Sequence, residues 1–230
     1  MLNVDLNNPF KAMGYDNEDI IPEGGFGAVL ARAGVGKTAF LVQLALRAIV
    51  RNKNVLHVSL NDPVNKVSLW YKEVFNNLAK QYNIKEPSQL WETMLPHRFI
   101  MTFKAEGFSV PTLEERMTDL SEQNIFSPQI VVVDGLLFDE FAQKSLSDLK
   151  AIARKLSLQV WFAVRTHRHE ESASDGMPAS FSNVSDLFDV AIQLQPKGKE
   201  INVLSLKGAP STSDFSELCL DPSTMLIKKQ

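Results

Sequence analysis

The segment "ARAGVGKTAF", residues 31–40, constrains the fold of this chain more than any other. A phosphate-binding loop needs small residues that let backbone N–H groups turn inward, a lysine that reaches the β- and γ-phosphates, and a hydroxyl that binds Mg²⁺. In the pattern G-x-x-x-x-G-K-[ST], Ala31 stands at the first glycine, while Gly36, Lys37 and Thr38 match the end. The segment therefore predicts a phosphate-binding loop.

The residues on both sides of the loop support this prediction. "GGFGAVLA" (24–31) is small and apolar like a buried strand, and "KTAFLVQLALRAIV" (37–50) has apolar residues at helical spacing. A strand before the loop and a helix after it are the context that the motif requires, and the helix N-terminus favours a bound anion. The sequence thus predicts that ATP binds with Mg²⁺. The predicted nucleotide contacts are Ala33, Gly34, Val35, Gly36, Lys37, Thr38 and Ala39.

A nucleotide site of this kind also needs a carboxylate at the end of a second strand. "QIVVVD" (129–134) is a β-branched run typical of a strand buried on both faces of a parallel sheet, and it ends in Asp134. An aspartate at a strand end is, by itself, more often a turn former. Together with the phosphate loop, it is the predicted partner of Mg²⁺. We therefore predict Thr38 and Asp134 as the metal ligands.

Strands and helices alternate along the rest of the chain. We predict strands at 54–60, 97–103 and 159–164, helices at 65–82, 111–123 and 143–156, and a hairpin from 189 that turns at 196–198. This order predicts an α/β fold with a mostly parallel central sheet, helices on both faces and a C-terminal β-hairpin. We expect a surface segment at 1–22 and a single domain at 23–230.

Composition limits the functional classes. The 230 residues carry a net charge of −3, which argues against a strong general affinity for nucleic acid. The only cysteine is Cys219, so an intrachain disulfide cannot form, which favours a reducing compartment. The first residues lack the pattern of a secretory signal, and every apolar run is shorter than the roughly 18 residues that span a bilayer. These features predict a soluble cytoplasmic protein.

The segments that carry the motifs resemble the ATPase core of the RecA superfamily, nearest its DnaB-helicase and KaiC-like branches. The most specific similarity lies in "PEGGFGAVLARAGVGKTAFLVQLAL" and "VLHVSLND". Weaker matches follow in the family's order through residue 227, in "QIVVVDG", "VWFAVRTHR" and "DVAIQL…VLSLKGAP". The resemblance implies a RecA-like P-loop fold that forms a homo-oligomer with ATP at the subunit interfaces.

One position departs from the family in a way that bears on hydrolysis. The glutamate that polarises the attacking water aligns with Asn61 in "VSLND", and Asp62 follows. An amide orients water but is a negligible base, and loss of a general base costs roughly 10²- to 10⁴-fold in rate. Side chains alternate along a strand, so Asp62 points away unless the alternation breaks at the strand end. Either Asp62 takes the role of base, or hydrolysis is slow; Asn61, Asp62 and Pro63 would form an ordinary Asx-type turn in the simplest interpretation.

The resemblance also implies residues that contact the γ-phosphate from elsewhere. The sensor candidates at the exit of "QVWFAV" are Arg165, Thr166 and His167. On the terminal hairpin, Lys207 matches a residue that reaches the neighbouring subunit's nucleotide, but Ala209 occupies the position of the arginine finger. Our catalytic candidates are Lys37, Asp62 and Arg165.

Two further patterns have structural interpretations that we prefer. The segment "RTHRHEE" (165–171) contains two histidines and two glutamates, but it lacks a nearby cysteine or third histidine to complete a Zn²⁺ shell. Trp70, Tyr71 and Trp91 could stack on single-stranded nucleic acid. The helical spacing of Trp70 and Tyr71 with apolar residues favours core packing instead.

We therefore expect an ATP-binding RecA-fold protein with weak hydrolysis that acts with a protein partner as a nucleotide-dependent switch or assembly factor. The alternative is a DNA-translocating motor of the helicase type. Its pore would be lined by segments near 139–145 and 165–185, and the first, "DEFAQKS", is acidic, which disfavours contact with DNA phosphates. A small-molecule kinase is disfavoured because the sequence lacks an arginine-rich lid.

Overall fold

The structure is a computed structural model that describes residues 19–104, 107–139, 142–167, 176–208 and 218–229. The strands are β1 (Phe26–Ala31), β2 (Val55–Ser59), β3 (Arg98–Thr102), β4 (Ile130–Asp134), β5 (Gln159–Arg165), β6 (Val190–Lys197), β7 (Glu200–Lys207), β8 (Leu218–Leu220) and β9 (Ile227–Lys229). The helices are α1 (Lys37–Val50), α2 (Val64–Gln81), α3 (Pro87–Met94), α4 (Val110–Glu122), α5 (Ala142–Lys155) and α6 (Ala179–Ser182). None of these helices combines the length and the apolar character that crossing a bilayer requires.

The strands form one sheet in the order β3-β2-β4-β5-β1-β6-β7-β8-β9. The six strands from β3 to β6 are parallel, and β6 to β9 are antiparallel. This confirms the predicted α/β fold with a mostly parallel sheet and a C-terminal hairpin. The hairpin turn lies slightly later than predicted, because Pro196 still pairs with Ile201 and the chain turns at 198–199.

Helices cover both faces of the parallel part of the sheet, as predicted. Alternate residues of β1 belong to two different cores, which explains why all six of its residues are buried. Val29 packs in the layer that contains α1, α2 and α3. Leu30 packs in the opposite layer with α4, α5 and α6. Because the parallel strands all end at the same edge of the sheet, the residues after β1, β2, β4 and β5 meet there.

Four short elements were not predicted, namely α3, α6, β8 and β9. In α3, Trp91 packs against Phe75 of α2 with ring centroids 5.0 Å apart. Tyr71 is completely buried, and Trp70 packs partly buried against the same core. The core-packing interpretation of these aromatic residues is therefore confirmed.

The start of the chain only partly fits the predicted surface segment at 1–22. Residues 1–18 lie outside the described part of the chain. Ile21 is buried, and its carbonyl oxygen accepts a hydrogen bond of 2.7 Å from Gln159 Nε2. The packed domain therefore begins before residue 23.

A histidine lies inside the layer formed by α1, α2 and α3. His57 of β2 is completely buried, and its Nδ1 is 3.2 Å from the Tyr71 hydroxyl oxygen. Burial lowers the pKa of His57 to about 4, and the positive charge of Arg98 acts in the same direction. His57 is therefore neutral in the folded protein at neutral pH.

We expect the variant His57→Gln to lose less stability on acidification than the wild type. Between the folded pKa of about 4 and the ordinary value of 6.5, the unfolded state binds more protons at His57 than the folded state does. The free energy of unfolding therefore falls as pH drops through this window, by a total on the order of 3 kcal/mol from this group. Urea unfolding of both proteins at about pH 7 and about pH 4.5 measures the difference. Equal losses in the two proteins would contradict the assignment.

Candidate nucleotide site

The loop between β1 and α1 depends on two glycines. The φ angles of Gly34 and Gly36 are 76° and 113°, in the region that favours glycine. A Cβ on Gly36 would also lie 2.6 Å from Leu220 Cδ2, so the C-terminal strands pack directly against the loop. Within the described part of the chain, the side chain at the N-cap of α1 makes no hydrogen bond to the first N–H groups of the helix. This end of the helix is therefore suited to a bound anion.

Lys37 is folded back onto the loop. Its Nζ donates to the carbonyl oxygens of Ala31 at 2.9 Å and Arg32 at 3.0 Å. Burial lowers the pKa of Lys37, the negative charge of Asp134 opposes this shift, and the positive charge of Arg165 adds to it. An ammonium group that has lost part of its hydration gains more from an anionic ligand than an exposed one does.

The two predicted metal ligands are in contact. Thr38 Oγ1, in the first turn of α1, donates a hydrogen bond of 2.6 Å to Asp134 Oδ2 at the end of β4. Burial raises the pKa of Asp134, while the hydrogen bond from Thr38 and the charge of Lys37 oppose the shift. A hydroxyl beside a carboxylate offers the oxygen ligands that Mg²⁺ prefers.

The described residues contain no cluster of three or more histidine, cysteine, aspartate or glutamate side chains that could hold a metal ion. This matches the behaviour of Mg²⁺ in nucleotide sites, where one or two protein ligands act together with phosphate oxygens and water. The residues present therefore fit Mg²⁺ that arrives with a nucleotide.

The turn after β2 separates the two candidates for activating water. The side chain of Asn61 lies against Gly135, the residue after Asp134, because a Cβ on Gly135 would collide with Asn61 Nδ2. The carboxylate of Asp62 instead binds Lys66, with 2.8 Å between Oδ1 and Nζ. Asn61 is thus the residue of the two whose side chain contacts the loop that follows Asp134.

The turn itself differs from the Asx-type turn considered from sequence. Ser59 Oγ donates to the carbonyl oxygen of Asp62 at 2.8 Å and accepts from its N–H at 3.0 Å. Among the described residues, the hydroxyl of Ser59 therefore closes this turn, rather than the side chain of Asn61 or Asp62. Fixing the backbone in this way holds the two side chains in different directions.

The end of β5 lies beside the phosphate loop, where the sensor candidates were predicted. Arg165 pairs with Ala31 in the register of β1 and β5, and its side chain is exposed. Thr166 is buried, and its N–H donates to the carbonyl oxygen of Ala31 at 3.1 Å. That same carbonyl accepts from Lys37, so the sensor strand and the phosphate loop share an acceptor.

A polar groove of about 330 Å³ opens next to these residues, at the carboxyl ends of β1, β5 and β6. The residues that line it are Arg32, Thr166, His167, Gln193, Leu194, Gln195 and Pro196. The sequence analysis did not predict the glutamines as site residues, because the position of β6 beside β1 depends on the tertiary fold.

The remaining candidates do not join this site within one chain. Lys207 Nζ donates to the carbonyl oxygen of Ser185 at 2.9 Å, and Lys207 pairs with Ala191 near the amino end of β6. It therefore lies away from the phosphate loop of its own chain. Ala209 and the residues 168–171 of "RTHRHEE" lie outside the described part of the chain.

Neither a family model nor a curated protein matches the sequence significantly. Among solved structures, 393 chains match, so the fold is common and does not by itself identify a function. One of them is the ATPase domain of another protein, with a TM-score of 0.58 and 18% identity, over 82% of this chain and 79% of that one. At this level of identity the likeness concerns the fold alone. It shows that the predicted RecA-like P-loop fold is correct.

Proposed function

We propose that this protein binds Mg-ATP and acts as a nucleotide-dependent switch or assembly ATPase with weak hydrolysis. The observation that carries the proposal is the contact of 2.6 Å between Thr38 Oγ1 and Asp134 Oδ2. It places a hydroxyl and a buried carboxylate together directly after a glycine-dependent loop that carries Lys37. A phosphate-binding loop, a lysine and a pair of oxygen ligands are the parts that nucleotide binding requires.

Binding rearranges groups that already occupy the site. Lys37 leaves the carbonyl oxygens of Ala31 and Arg32 and donates to the β- and γ-phosphates. The N–H groups at the start of α1 surround the β-phosphate. Mg²⁺ neutralises charge on the phosphates, and Thr38 and Asp134 hold it.

Weak hydrolysis follows from the residues near the attacking water. Asn61 can orient a water molecule next to the Asp134 strand end, but its amide does not accept the proton. Asp62 could accept it, but its carboxylate is held by Lys66. A bound ATP molecule that persists suits a switch, because the protein then stays in its ATP-bound state until a partner acts.

We further propose that the carboxyl edge of the sheet contacts a second subunit or a protein partner. Two exposed apolar residues follow neighbouring strands at this edge, namely Val64 after β2 and Leu137 after β4, with exposures of 47% and 71%. The described loop 135–139, "GLLFD", has no basic residue. Such a loop favours a protein contact and disfavours a motor that tracks DNA phosphates.

Size-exclusion chromatography with light scattering tests the assembly role. We expect a larger mass with Mg-ATP than without nucleotide, and no change in the variant Lys37→Ala. An added single-stranded oligonucleotide is expected to leave the mass unchanged. One mass under all nucleotide conditions would refute assembly, and a shift caused by the oligonucleotide would support the motor.

A further inference from the structure

Lys66 occupies a position that does not favour its own helix. It lies in the first turn of α2, where the positive end of the helix dipole disfavours a cation. Its side chain turns back to Asp62, with Nζ and Oδ1 2.8 Å apart. The side chains of Lys66 and Asp62 are 58% and 27% exposed, so the ammonium group stays open to ligands from solvent.

This ion pair is close to the predicted Mg²⁺ ligand. Ser59 at the end of β2 pairs with Asp134 at the end of β4, so the turn that carries Asp62 begins beside Asp134. The N–H of Leu60 donates to the carbonyl oxygen of Asp134 at 2.9 Å. The charges also act on one another: burial is the main cause that raises the pKa of Asp134, Asp62 raises it further, and Lys66 lowers it.

We propose that Lys66 is a second phosphate-binding lysine, which leaves Asp62 and binds the terminal phosphate of ATP. This inference rests on the proposed function of the site. The terminal phosphate carries more negative charge than a carboxylate and offers three acceptor oxygens, so it competes with Asp62 for the ammonium group. ADP lacks that phosphate, and Lys66 therefore stays on Asp62 when ADP binds.

The consequence is a distinction between ATP and ADP within one chain. In related chemistry a cation from a neighbouring subunit stabilises the terminal phosphate. In this sequence Ala209 stands at the position where the resemblance implies that cation. Lys66 supplies a positive charge from the same chain, and its move away from Asp62 changes the surface beside Val64.

Titration calorimetry with Mg-ATP and Mg-ADP on the variant Lys66→Met tests this inference. We expect the Kd for ATP to rise about tenfold, because one charge-assisted hydrogen bond is lost, while the Kd for ADP changes less than about twofold. Lys72→Met, at another exposed lysine of α2, is the matched control and is expected to change neither Kd. Asp62→Asn is expected to bind ATP at least as tightly as the wild type, because Lys66 no longer has a competing carboxylate.

The outcomes separate this inference from the function on which it rests. Normal binding by the wild type with an unchanged ratio of the two Kd values in Lys66→Met would overturn the role of Lys66 alone. An equal loss of ATP and ADP affinity in that variant would also overturn it, because the loss would not concern the terminal phosphate. Failure of the wild type to bind either nucleotide would overturn the proposed function as well.

Discussion

Replacing Asn61 by glutamate is expected to raise the rate of ATP hydrolysis by roughly 10²- to 10⁴-fold, the usual contribution of a general base. The side chain at this position contacts Gly135, directly after the predicted Mg²⁺ ligand Asp134. A carboxylate there would accept the proton of a water molecule that the amide can only orient. Phosphate release at saturating Mg-ATP measures the rate. Asn61→Gln is the matched control, since it has the length of glutamate without the charge.

The variant Asp62→Ala completes this test. We expect its rate to stay near the low wild-type value, because Lys66 holds the carboxylate of Asp62 and the hydroxyl of Ser59 fixes the turn. If Asp62→Ala instead removes a substantial wild-type activity, Asp62 is the base and the protein is a competent ATPase. If neither change alters the rate, the contribution of a neighbouring subunit is what limits hydrolysis.

Lys37→Ala is expected to weaken ATP binding by roughly 100-fold or more. The ammonium group would donate charge-assisted hydrogen bonds to two phosphates, and each contributes about 1.5–3 kcal/mol. In the absence of a phosphate it donates only to the carbonyl oxygens of Ala31 and Arg32 among the described residues. Titration calorimetry measures the affinity, with Lys72→Ala as a control for the loss of a lysine. Unchanged affinity in Lys37→Ala would show that this loop does not hold the nucleotide.

Most of the fold could be predicted because long elements carry strong periodic signals. The helical spacing after the phosphate loop predicted α1 with the bounds that the structure has, 37–50. The β-branched run at 129–134 predicted β4 within one residue. The helix α3 has eight residues, and β8 and β9 have three each. Segments this short contain too few residues for a helical or alternating pattern to be recognised.

The site was predictable only where one segment carries the chemistry. Spacing alone identified Lys37 and Thr38, and a strand end identified Asp134. The contact of Asn61 with Gly135 depends on β2 and β4 being neighbours, and that placement is not written in either segment. For the pair of Asp62 and Lys66, the four-residue spacing was the available signal, but such spacing usually marks an ordinary pair on a helix surface.

The most direct test of the central claim is titration of the wild-type protein with ATP in the presence of Mg²⁺ and, separately, of a chelator. Because Thr38 and Asp134 are proposed to hold Mg²⁺ together with the phosphates, we predict saturable binding of one ATP per chain with Mg²⁺ and much weaker binding without it. Heat changes that do not saturate, or an affinity that does not depend on Mg²⁺, would contradict the assignment of this site to Mg-ATP.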